Sequence, residues 1–229
     1  MVHIVLTGYI KERYWENGCF QRTNSEDSYK VCFTSRYIRH KLGAFNNTYF
    51  CGDMDCFYRD ISEAIEGLDF KIISSVIDKN IMNATYSNPH EIYPLSILFI
   101  IERFCYFLSG RPRFNNKGLN IIESRGRSED RGILNTYLQI YNNELDAEIE
   151  CFLNPDEARR KLRGIYFNRK WAENSMGTRT FPGLELADLC AYPIGSHYLE
   201  HDEDRAYEII KTKFDGYPHN PNWGKKVFP

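Results

Sequence analysis

No Cys-x-x-Cys pair occurs in the 229 residues, and the seven cysteines are scattered. Only Cys51 and Cys56 lie close together, so no zinc ribbon or disulfide framework is encoded. Reduced thiols and a cytoplasmic location are expected. A run of eighteen apolar residues is also missing: the longest candidate, Ile92 to Leu108, is broken by Pro94, Glu102 and Arg103. That stretch reads as a buried helix, not a membrane span. The amino terminus has no basic region followed by an apolar stretch and a small-residue cleavage site, which argues against secretion. No G-x-S-x-G, P-loop or G-x-G-x-x-G motif is present, so acyl-enzyme and nucleotide-cradling chemistries lack a signature. The histidines show no H-E-x-x-H spacing, and His197 and His201, one turn apart, read as surface residues.

What is present is ample core material. An apolar share of 42% with 15% aromatics suits a single folded domain over residues 1–229. The net charge of −2 makes the whole chain no magnet for nucleic acid, yet its charge is segregated. Glu144, Asp146, Glu148 and Glu150 form an acidic run. Arg159, Arg160, Lys161, Arg163, Arg169 and Lys170 follow with no acid among residues 159–170. Such a block is either a solvated face or a patch that tracks phosphates.

Alternating, β-branched residues predict strands at Val2–Gly8, Phe70–Ile77, Leu119–Ile122, around Ile149–Leu153 and around Gly164–Phe167. Helical spacing predicts helices at Lys11–Lys30, Met54–Leu68, Glu91–Leu108, Ser128–Tyr141, Glu203–Phe214 and through Asp188. Thr34–Gly43 reads as a basic turn or short helix. Strands alternating with helices favour an α/β fold with a mixed or parallel sheet.

One carboxylate stands out. Asp188 interrupts an apolar helical run whose face is expected to carry Leu184, Ala187, Ala191 and Ile194. A charge there needs a cation, with Arg103 as the best side-chain candidate, or a divalent metal shared with other acids. Asp78 and Glu123 stand at the carboxyl ends of expected strands, where rim sites of parallel sheets gather. Asp78 could equally end its strand in a turn, and Glu123 could pair with Arg125. Cys105 and Cys190 read as core residues.

Several short segments in a fixed order resemble the domain of unknown function 3800 family, a prokaryotic and phage group in the ribonuclease H-like superfamily. They are Ser35-Arg36-x-Ile38-Arg39 with Gly43-x-Phe45, Val76-Ile77-Asp78-Lys79, Glu102-Arg103, Glu123-Ser124-Arg125-Gly126 with Glu129-Asp130, Gly183 to Leu189, and Gly224 to Pro229. The resemblance implies a ribonuclease H-like mixed sheet flanked by helices. It also implies a nuclease (hydrolase) that cleaves phosphodiesters with Mg²⁺ or Mn²⁺. Glu123, Asp188 and Asp78 would be catalytic, and Glu123, Asp188 and Asp130 would hold metal. By the resemblance Arg125 would sit near the substrate phosphate; Arg36, Arg39 and, from the basic run, Arg163 are further candidates for phosphate contact.

Two departures stand against this pattern. Family members usually begin with a strand ending Asp-Glu-Ser-Gly, and against that pattern this chain is expected to start one strand late, without the first catalytic Asp. The family's His-Ser-x-Glu-Ile-Arg is here Thr34-Ser35-Arg36-Tyr37-Ile38-Arg39, without the His and the acid. The expectation is therefore a metal-dependent nuclease, inactive as given, or a non-catalytic module of the same fold binding nucleic acid or a partner. An exposed sheet edge would offer a route to a homo-oligomer.

Overall fold

The structure is a computed structural model describing residues 3–20, 31–87, 91–110, 116–144, 154–174, 177–201, 204–220 and 222–228. In chain order its elements are α1 (His3–Glu16), α2 (Ser35–Arg39), α3 (Met54–Gly67), β1 (Ser74–Ile77), α4 (Lys79–Thr85), α5 (Ile92–Ser109), β2 (Gly118–Glu123) and α6 (Arg127–Asn142). There follow α7 (Pro155–Lys161), β3 (Leu162–Asn168), β4 (Trp171–Asn174), β5 (Gly177–Thr180), α8 (Pro182–Gly195), α9 (Arg205–Lys211) and β6 (Lys225–Phe228). The expected strand near Ile149–Leu153 lies outside the described residues. So do much of the acidic run, of the loop after Gly110, and of the stretch after Phe20 that was expected to be helical.

The chain forms two compact units, each assembled from two segments: residues 1–70 with 169–211, and residues 71–168 with 212–229. The first is mainly helical. Its core is a knot of aromatic rings, Tyr14, Phe20, Phe33, Phe45, Phe50 and Phe57, with neighbouring centroids such as Tyr14–Phe57 only 5.0 Å apart. Edge-on and tilted ring pairs of this kind add to the burial of large apolar surface. β4 and β5 of this unit pair antiparallel.

The expected strand Val2–Gly8 is corrected: from His3 it forms the opening turns of α1. A strand needs a partner ladder for its backbone groups, whereas a helix satisfies them internally. Buried Ile10 and Tyr14, four residues apart, also fit one helix face.

The second unit is α/β. β2 and β3 run parallel with Ile121 opposite Tyr166, connected through α6 and α7 as a parallel crossover requires. β1 and β6 are also parallel, so the carboxyl-terminal tail is a strand. Among the described residues the strands pair two by two. Only the second half of the expected strand Phe70–Ile77 is ladder. Before it, Ile72 exchanges backbone bonds with Lys213 and Asp215. α5 is long and apolar enough, by length and composition, to cross a membrane. Leu95, Leu98, Phe99, Ile101 and Cys105 bury one side of it in this unit's core with Tyr137, Ile140 and Leu162.

Candidate functional site

Asp188 sits on α8, which opens with Pro182 in its first turn, a position that needs no N–H donor. The buried residues of that helix include Leu184, Glu185, Cys190, Pro193 and Ile194, while Ala187 and Ala191 are exposed. The apolar face is thus rotated from the expected one, and Glu185 is the carboxylate it buries. Glu185 accepts hydrogen bonds from Lys11 Nζ at 2.7 and 2.9 Å and from the Phe33 backbone N–H at 2.7 Å. Burial lowers the pKa of Lys11, and the Glu185 charge opposes that shift.

Asp188, one turn on, has its own cation. Lys170 Nζ lies 2.8 Å from its Oδ1, with side-chain exposures of 11% and 28%. The Ser35 N–H donates to its Oδ2 at 2.7 Å. Arg103 is not that partner; its Nη1 stands 3.5 Å from Glu102 Oε2. The extended segment 33–35 therefore offers alternate backbone donors to two acids on adjacent turns of α8. On the preceding residue, burial pushes the Cys32 thiol up to about 11.

In the α/β unit the other acids have structural duties. Asp78 caps α4, accepting the N–H groups of Asn80 at 2.8 Å and Ile81 at 3.1 Å. Asp130 closes the turn after β2, accepting the Ser124 hydroxyl at 2.6 Å and the Arg125 N–H at 2.9 Å. Those bonds hold its carboxyl below the usual range. Glu123 ends β2 opposite Asn168 and is half-buried. Arg125 is exposed, and its guanidinium leans on Tyr93, with Nη1 donating to the Tyr93 hydroxyl at 2.6 Å. The turn is made possible by Gly126, whose φ of 130° disfavours a side chain.

Most of the basic run is used internally. Arg159 caps α6 through the Tyr141 and Asn142 carbonyls, Arg160 bonds the Asp156 carbonyl, and Lys161 reaches that of Leu108. Arg163 is exposed on β3. In the other unit Arg36 is exposed on α2, and Arg39 stacks 3.2 Å over the Tyr192 ring.

Asp78, Glu123 and Asp130 belong to one unit and Asp188 to the other. Among the described residues no three His, Cys, Asp or Glu side chains gather as ion ligands. A divalent ion at Asp188 would have to displace Lys170, and one at Asp78 or Asp130 would have to break a cap or a turn.

Sequence reasoning missed Lys11, Glu185 and Tyr93. Glu185 had a signal, being flanked by Leu184 and Leu186 in the same apolar run as Asp188. Its lysine lies 174 positions away, which no local pattern reports. The histidine expectation changes in part: His197 stacks on Tyr207 at 3.6 Å. Cys105 and Cys190 are buried as expected. Comparison with protein-family models, curated proteins and solved structures found no match to this chain.

Proposed function

We propose that this chain is a non-catalytic nucleic-acid-binding module of ribonuclease H-like type, contacting the phosphate backbone through Arg125. The observation that supports this most is the fixed yet uncommitted cation at the end of β2. Arg125 is anchored by its N–H to Asp130 and by its guanidinium to Tyr93. No carboxylate among the described residues lies within ion-pair distance of that guanidinium. An exposed arginine beside an exposed aromatic face suits a phosphate with its neighbouring base.

The test is fluorescence anisotropy with labelled single-stranded RNA and DNA across a salt series. Arg125→Gln should weaken binding about tenfold and lower the salt slope by about one. Loss of binding by neither salt nor substitution would overturn the proposal.

A second proposal, cleavage with Mg²⁺ or Mn²⁺, is favoured by one feature. Glu123 precedes two residues bonded to Asp130, so two acids share one turn. Magnesium uses only one or two carboxylates when the substrate supplies phosphates. Metal-dependent cleavage abolished by Glu123→Gln would replace the binding-only proposal with this one.

A further inference from the structure

The α/β unit holds a cavity of about 780 Å³ beside the carboxyl-terminal turns of α5 and the tail strand β6. Its size suits a small organic ligand. Its walls combine two cations, Arg103 and Lys226, two acids, Glu102 and Asp215, and the aromatic rings of Tyr106 and Trp223. We propose that this cavity binds a nucleoside phosphate.

Three observations carry the proposal. Arg103 Nε is buried without a hydrogen-bond partner, and its Nη1 only approaches Glu102 at 3.5 Å. A buried donor left unmatched is costly, and a phosphate oxygen is the acceptor that matches a guanidinium best. Lys226 Nζ stands 5.1 Å from the Phe99 ring centroid, and no carboxylate among the described residues lies within ion-pair distance. Trp223, in the wall of the same cavity, is 62% exposed, a large flat surface of the kind on which bases stack.

Asp215 completes the match. Its N–H donates to the Ile72 carbonyl at 3.1 Å and its own carbonyl accepts from Gly224 at 3.0 Å, which fixes its place in the wall. A carboxylate there can accept ribose hydroxyls or a base amino group, whereas an all-cationic wall would suit bare phosphate. The four charged side chains sum to zero, which fits a ligand with one anionic end and one neutral, donor-rich end.

This site is separate from Arg125. Tyr93 lies in the first turn of α5 and Arg103 ten residues later, about 15 Å along the axis. The ligand could be a free mononucleotide or the terminal nucleotide of a strand, and the experiment distinguishes them.

The full-length chain is titrated with AMP, GMP, CMP and UMP, with each parent nucleoside, and with an oligonucleotide with and without a 5′-phosphate. Calorimetry and tryptophan fluorescence report binding. At least one mononucleotide should saturate and quench fluorescence, and its nucleoside should bind about tenfold more weakly. Trp223→Leu should remove the quench, and half-buried Lys226→Gln should weaken binding about tenfold. Arg103→Met gives the same result if it folds; Lys226→Gln serves if it does not. Preference for the phosphorylated oligonucleotide over the mononucleotide assigns the site to strand ends, and the reverse assigns it to free nucleotide. No saturation by any mononucleotide at millimolar concentration, or binding indifferent to Lys226→Gln, overturns the proposal. Mononucleotide binding and strand binding through Arg125 are measured separately, so each can fail alone.

Discussion

Lys11 Nζ lies 2.7 Å from Glu185 Oε1, and the two side chains expose only 2% and 0% of their surface. The pair joins the first helix of its unit to the helix that carries Asp188. Thr180 and the Phe33 N–H complete its hydrogen bonding. Buried ion pairs of this sort add little net stability but are costly to break singly.

Lys11→Met should therefore lower unfolding free energy by about 3–5 kcal/mol, because the buried Glu185 side chain loses its cation. The double variant Lys11→Met with Glu185→Leu should regain most of that loss. Urea melts of the three proteins measure both effects. A single variant as stable as the parent would show that the pair does not form.

Asp188→Asn should lower stability by about 1–2 kcal/mol, since the ion pair with largely buried Lys170 is lost and the partial exposure of Asp188 softens the effect. Thermal melts should give the same shift with and without EDTA. A rise in Tm on substitution would instead indicate crowded acids and revive a metal site there.

Cys32 should resist alkylation near pH 8, where exposed Cys51 reacts readily. Its thiol is pushed up to about 11 from an ordinary value of 9.0. Between those values the unfolded chain has lost the proton that the folded chain keeps. Its contribution is therefore whole below pH 9.0 and declines as pH rises toward 11. Mass-spectrometric alkylation rates and melts across this range check the sign.

Gly224→Ala should destabilise the α/β unit by about 1–3 kcal/mol. A Cβ there would stand 2.4 Å from the Asp215 nitrogen and 2.7 Å from the Ile72 oxygen, both backbone atoms that cannot swing away. The Gly224 carbonyl also accepts the Ser74 N–H at 2.8 Å, so pairing of β6 with β1 should loosen. Hydrogen exchange should quicken at Ser74 and Val76 more than in α6.

Helices with strong amphipathic spacing were legible in the residues. Met54–Gly67 and Arg127–Asn142 form close to where their periodicity predicts, the first capped by Asp53. Short segments were not. Val2–Gly8 alternates over too few residues to exclude a helix, and the tail strand β6 exists because β1 offers it a ladder. The hairpin β4–β5 and the short α7 likewise escaped notice, having too few residues for a period to show.

For the site, the order of residues by itself determined that acids interrupt an apolar run near Asp188 and that Arg125 follows Glu123 at a strand end. Local spacing sets such features, because it fixes which side chains share a turn. Only the tertiary structure decided which charge meets which: Lys170 at Asp188, Lys11 at Glu185, Tyr93 under Arg125. Neutralising a charge depends on distance in space, and chain separation says almost nothing about that distance once the polypeptide has folded.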